Sequence, residues 1–76
     1  MNELIAILES LQPDVNYESE KALIDNHLLD SLTILSLIVE LEDAFDITIP
    51  SVEITADNFN SAEAIWTMIV RLQEEG

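Results

Sequence analysis

Apolar residues recur along this chain at intervals of three and four, the spacing of a helix with one buried side. Leu4, Ile7, Leu8 and Leu11 share one face and predict a helix over 3–11, with Asn2 as its N-cap and Gln12-Pro13 as its end. A second pattern runs from Ser31 to Phe45. A third begins near "NSAE", where Asn60 and Glu63 resemble a capping box, and places Ala62, Ile65, Met68, Ile69 and Leu72 in a buried stripe with Trp66 as a core neighbour. Strand-like alternation is confined to "DITIP", where Pro50 disfavours helix at Ile49; "SVEITADNF" has room for a short helical turn. The connection from Gln12 to Asp30 is long, and its Val15, Leu23, Ile24, Leu28 and Leu29 predict a loop tucked against the core. Connections of this length inside one small domain are uncommon and are often functional.

The second helix carries more apolar surface than one face needs. At about 100° per residue, Ile34, Leu37, Ile38, Leu41, Ala44 and Phe45 gather on a broad core side, while Thr33, Ser36, Glu40 and Asp43 form a solvated side. Leu32, Leu35 and Val39 belong to neither group. They make a second stripe bordered by Glu42 and Asp43, either a wide core contact or an exposed apolar patch with an acidic rim, the mark of a partner site.

Composition narrows the choices. The chain has 76 residues, read as a single domain over 1–76, and hydrophobic residues make up 49% of it, ample for a core. No apolar run approaches the roughly 18 residues needed to span a bilayer, and no basic segment precedes an apolar one at the start, so neither a membrane span nor a signal peptide is expected. The only glycine is Gly76, which excludes phosphate-cradling loops and nucleophile elbows. Cysteine is absent, so any thiol chemistry must use a thiol from outside the chain; the composition suits a reducing cytoplasm. Sixteen acids face Lys21 and Arg71, for a formal net charge of -14. Such a surface repels nucleic acid and anionic lipid, and it steers basic partners inward.

One serine stands at the entrance to the most hydrophobic segment, in "HLLDSLTILSLIVELEDAF". From spacing alone Ser31 reads as an N-cap, a role worth about 1 kcal/mol. A hydrolase reading would need His27 as its base, and no glycine-framed oxyanion loop accompanies it. No metal site is expected either: "DNFN" at Asp57 lacks the glycine and terminal glutamate of a calcium loop.

Beyond spacing, "LLDSLTILSLIVELEDAFDITIP" from Leu28 to Pro50 resembles the core signature of the acyl and peptidyl carrier proteins. The likeness joins Asp-Ser-Leu at a helix start to the ending "FDITIP", and length, acidity, the long first loop and the last helix agree with it over essentially the whole chain. It implies an all-α fold, a small bundle of three main helices plus one short helix, with a long loop between the first two. It also implies a protein with no catalytic residues of its own. By position Ser31 would accept a covalent 4'-phosphopantetheine arm, whose terminal thiol carries acyl or aminoacyl groups as thioesters, and Asp30 would help the phosphopantetheinyl transferase recognise the site. Leu32, Leu35 and Val39, with Glu42 and Asp43, would then meet partner enzymes.

The family usually has glycine three residues before the serine, where this chain has Leu28. "LLDS" there is similar to the D-alanyl carriers of teichoic acid modification and to some standalone aminoacyl carriers. The expected partners are therefore a phosphopantetheinyl transferase and an adenylate-forming ligase or acyltransferase with a basic and apolar docking surface. The carrier is expected to work as a cytoplasmic monomer. The rival readings are an acidic interaction module in which Ser31 is only a cap, and an acidic mimic that binds basic proteins.

Overall fold

The computed structural model describes residues 2–26 and 28–75. Helix α1 spans Asn2–Leu11, α2 Ser31–Phe45, the short α3 Ala56–Phe59 and α4 Ala62–Glu75; a single 3-10 turn at Ser51–Glu53 lies between α2 and α3. The described residues contain no strand, and the segment "DITIP" is irregular. This is the expected all-α bundle of three main helices and one short helix. Asn2 is the first residue of α1 rather than its cap.

Helix α1 packs against α2 and α4, and α3 packs against α4. The shared core holds Leu4 and Leu8 of α1, Leu37, Ile38 and Leu41 of α2, Phe59 of α3, and Ala62, Ile65, Met68, Ile69 and Leu72 of α4. Every member of the stripe expected on α4 is buried. Trp66 is half-buried beside it and meets Phe45 edge-on, with ring centroids 5.8 Å apart. That is a favourable aromatic geometry, and it ties the last turn of α2 to α4.

The long loop adds its own anchors. Leu23 and Leu29 are fully in the core, and Val15, Ile24 and Leu28 pack against it half-buried, as the sequence predicts. Tyr17 is a further anchor that periodicity does not reveal. Its ring is buried, and its hydroxyl sits 2.6 Å from the Gln12 carbonyl and 3.2 Å from that of Leu8, where it satisfies the open C-terminal end of α1. Burial, with Glu9 nearby, pushes the Tyr17 hydroxyl pKa up, which keeps it a neutral donor.

Two local expectations change. Asn60 does not form a capping box with Glu63: Ser61 caps α4, its Oγ accepting the Ala64 N–H at 3.0 Å, and Glu63 pairs instead with Lys21 at 3.4 Å. On α2, Thr33 is half-buried and Ala44 is exposed, the reverse of their assigned sides. Both lie about 70–90° from the centre of the buried sector at 100° per residue. At that angle neighbouring packing decides, and Ala44 has only a methyl group to reach with.

Helix α2 ends at Asp46, which adopts the left-handed conformation (φ 53°) and donates its N–H to the Glu42 carbonyl. Aspartate tolerates this region better than most residues. The chain then returns with Ile47 and Ile49 buried. Beyond the 3-10 turn, Arg71 of α4 grips Glu53 through both guanidinium arms, Nη1 lying 3.0 Å from Oε2, and Asn58 Nδ2 donates to the Glu53 carbonyl at 2.7 Å. The Arg71 bond holds the Glu53 carboxyl below the usual carboxylate range and pushes the guanidinium pKa up.

Candidate functional site

The site is built where the long loop becomes α2. Leu29 is buried and Asp30 is not, so the chain surfaces between these two residues. Asp30 is the N-cap: its backbone is extended and its Oδ1 accepts the Thr33 N–H at 2.8 Å. That bond, from an amide at the positive end of the helix, holds the Asp30 carboxyl below its usual value. The Asp30 carbonyl also accepts the Ile34 N–H, the first turn of the helical ladder.

Ser31 is consequently not the cap. It is the first helical residue, exposed, and its Oγ makes no hydrogen bond among the described residues. The reading of Ser31 as a cap alone is corrected here. Two adjacent residues both favoured at caps compete for one position, and aspartate has taken it. His27, considered above as a base for Ser31, lies outside the described residues.

Below the serine, Leu32, Leu35 and Val39 are 76%, 60% and 65% exposed. The stripe is therefore no part of the core. Leu37 and Leu41, on the other side of the same helix, are completely buried. Of the two acids bordering the stripe, Asp43 is exposed, while Glu42 is half-buried and accepts the Ile49 N–H at 2.9 Å through Oε2. Glu42 thus fastens the returning chain to α2, a task its sequence position does not reveal. Glu40 is exposed beside Asp43 in the later turns, and the first turns carry Thr33 and Ser36.

The chain's only lysine and arginine are elsewhere. Lys21 leans on Glu63 of α4, and Arg71, itself on α4, holds Glu53 and Glu75, so neither lies at α2. Helix α2 itself has neither residue type; beyond the Asp30 cap its first turns carry no charge, and its later turns are negative. Among the described residues no group of three or more potential metal ligands converges, and no helix is long and apolar enough to cross a membrane.

An exposed serine hydroxyl at a helix N-terminus fits a phosphodiester-linked arm. The oxygen is accessible, the helix end favours an anion, and the neighbouring side chains leave it uncovered. Residues 24–69 match the family model described as "Phosphopantetheine attachment site". The chain is also similar to the D-alanyl carrier protein of Streptococcus mutans serotype c, 38% identical over 73 residues covering 95% of this chain and 92% of that protein. The D-alanyl carrier protein of Streptococcus sanguinis is 39% identical over 72 residues, 93% of this chain and 91% of the other. This chain therefore belongs to the phosphopantetheine-attachment family of carrier proteins: a non-catalytic carrier that bears covalent 4'-phosphopantetheine and is served by a phosphopantetheinyl transferase and by loading enzymes.

Proposed function

We propose that Ser31 is the residue that receives the arm, that Asp30 is recognised with it, and that the carrier is charged with an amino acid or small carboxylic acid by an adenylate-forming ligase. When bound, the arm supplies the thiol that this cysteine-free chain lacks. Ser31 supplies the accessible oxygen, and α2 supplies its orientation. One observation carries the assignment: Asp30 takes over the cap, which leaves Ser31 exposed, with its hydroxyl unbonded among the described residues.

Leu32, Leu35 and Val39 form the apolar part of the docking surface, with Asp43 at its acidic rim. Glu42 contributes charge there while holding Ile49. D-alanine is the favoured cargo, because the relatives covering nearly all of this chain are named D-alanyl carrier proteins. The neutral first turns of α2, with Thr33 and Ser36, favour the same reading over a malonyl-loading partner that expects acids there. The protein would act as a monomer in the cytoplasm, where coenzyme A provides the arm.

Intact mass after incubation with coenzyme A and a phosphopantetheinyl transferase tests the site. Wild type is expected to gain one phosphopantetheine group and Ser31→Ala none, with unchanged helical circular dichroism. Modification of folded Ser31→Ala would overturn the assignment. The holo form is then offered to a D-alanine-adenylating ligase with ATP and, separately, to a malonyl transferase. Malonyl loading without adenylation-dependent loading would reject the proposed pathway and leave the attachment site standing.

A further inference from the structure

We infer that Asn60, 29 positions after Ser31 and on the far side of α2 in sequence, is a positioning residue for the attachment serine. The inference rests on the assignment of the arm to Ser31. Asn60 sits at the junction of α3 and α4, between buried Phe59 and buried Ser61, so its backbone is held from both sides. From there it takes hold of three consecutive residues of the long loop. Its carbonyl accepts the Leu23 N–H at 2.7 Å, and its Oδ1 accepts the N–H groups of Ile24 at 2.9 Å and Asp25 at 3.2 Å. Its Nδ2 lies 3.4 Å from Asp25 Oδ2.

The grip is passed on through the backbone. Leu23 is fully buried, and its carbonyl accepts the N–H groups of both Leu28 (2.9 Å) and Leu29 (3.2 Å). Leu29 is buried in turn and is followed directly by Asp30, the cap, and Ser31. A continuous series of bonds thus leads from the α3–α4 junction to the start of α2. The side-chain oxygen of Asn60 has two lone pairs and both are engaged, so neither alanine nor serine reproduces it. A loop of this length whose described residues form no helix or strand would otherwise have many ways to present Ser31. The Asn60 clasp selects one.

A serine presented in one orientation reacts faster than one presented in many, and rate is sensitive to displacements of about 1 Å. Asn60→Ala should lower kcat/KM for arm transfer by about tenfold, measured well below the melting temperature so that the folded fraction stays near one. Hydrogen exchange at the Leu28 and Leu29 amides should accelerate in this variant while Ile69, in α4, keeps its protection. An exchanged pair supplies the rescue. Asn60→Asp keeps an oxygen acceptor for the Ile24 and Asp25 N–H groups but sets a carboxylate against Asp25, and should be slowed less than alanine. Adding Asp25→Asn reverses donor and acceptor between the two side chains at the wild-type net charge, and should restore most of the rate.

Transfer to Asn60→Ala at the wild-type kcat/KM, with only its melting temperature lowered, would reduce Asn60 to a stabilising residue and overturn the inference. An exchanged pair no faster than Asn60→Ala would overturn it as well, since its oxygen acceptor for the Ile24 and Asp25 N–H groups is intact. If wild type itself takes no arm on Ser31, the attachment assignment fails first; if wild type is modified and Asn60 is indifferent, only the positioning role is lost.

Discussion

Helices α2 and α4 are nearly equal in length, 15 and 14 residues, and both lie against the same core, yet they spend their apolar residues differently. Helix α4 buries Ala62, Ile65, Met68, Ile69 and Leu72, and its surface is charged and polar. Helix α2 buries Leu37, Ile38 and Leu41 and leaves Leu32, Leu35 and Val39 in solvent. Apolar content alone therefore does not rank a helix by its contribution to stability. The more hydrophobic of the two keeps three large residues where the isolated protein gains little from them. Such a surplus is informative because monomeric surfaces seldom group large apolar residues on one face without a partner.

The largest expected effect breaks that symmetry directly. Ile65→Asp places a charge in a fully buried site of α4 and should abolish the cooperative thermal transition, since an unpaired buried charge is severely destabilising. Val39→Asp should leave helical circular dichroism intact and shift stability by no more than about 0.5 kcal/mol, the range of ordinary surface substitutions. It should instead slow arm transfer or cargo loading. A Val39→Asp protein that unfolds would return the stripe to the core. A milder pair sharpens the same contrast: Ile69→Ala should cost about 2–5 kcal/mol in urea unfolding, and Leu35→Ala should cost little.

Much of this division was legible in the residues. The α2 limits and the five-residue stripe of α4 follow from periodicity, because each is set by which side of a local element is apolar, and the loop anchors Leu23 and Leu29 follow from their apolar character alone. What escaped was set by distance in sequence. Asn60 looks like the start of a capping box because Glu63 follows it, and nothing local says that its true partners are Ile24 and Asp25. Tyr17 lies in a loop without periodicity, and Glu42 looks like free rim charge until Ile49 is seen to donate to it. At the site itself, the pattern "DS" offered two caps for one position. Only backbone geometry assigned the role to Asp30, and this leaves Ser31 open.

The next effect concerns how the two helices are fastened. Asp30 caps α2, and Glu53 is bound by Arg71 of α4; both carboxyls are held below their ordinary values of 3.8 and 4.5, chiefly by the Thr33 N–H and by Arg71 respectively. As pH falls, the unfolded chain takes up these protons before the folded one does. Their stabilising contributions are thus complete above the ordinary values and are lost as pH drops through the folded ones. Against this background, lowering the pH also reduces the net self-repulsion of a chain at -14. Comparing variants isolates the bonds from that background. The melting temperature of wild type should exceed that of Glu53→Gln above about pH 5, and the gap should narrow as pH falls below the ordinary carboxylate range. A gap that stays constant through this window would show that the Arg71 grip depends on shape rather than on charge. Asp30→Asn should behave similarly with a smaller gap, since asparagine remains a good cap.

The smallest effect tests whether charge on the two helices does different work. On α4, Glu63 and Glu75 lean on Lys21 and Arg71, so part of their field is cancelled at the surface. On α2, Glu40 and Asp43 are exposed, and the helix has no lysine or arginine to oppose them. Long-range attraction of a basic partner should then come mainly from α2's later turns, about 14–18 Å along the helix from Ser31 at 1.5 Å per residue. Rim charges of this kind set the encounter rate more than the lifetime of a complex, and salt screens them over about 8–10 Å. Glu40→Gln with Asp43→Asn should therefore reduce the association rate with the transferase or ligase a few-fold at low salt, with little change in dissociation. Near physiological ionic strength the difference should shrink. Glu63→Gln, which removes the same kind of charge from α4, should leave association unchanged. Equal losses per charge removed from the two helices would mean that partners sense only the net charge of the carrier. A loss confined to the α2 pair would give the exposed acids of that helix the steering role and leave Leu32, Leu35 and Val39 to hold the partner once it has arrived.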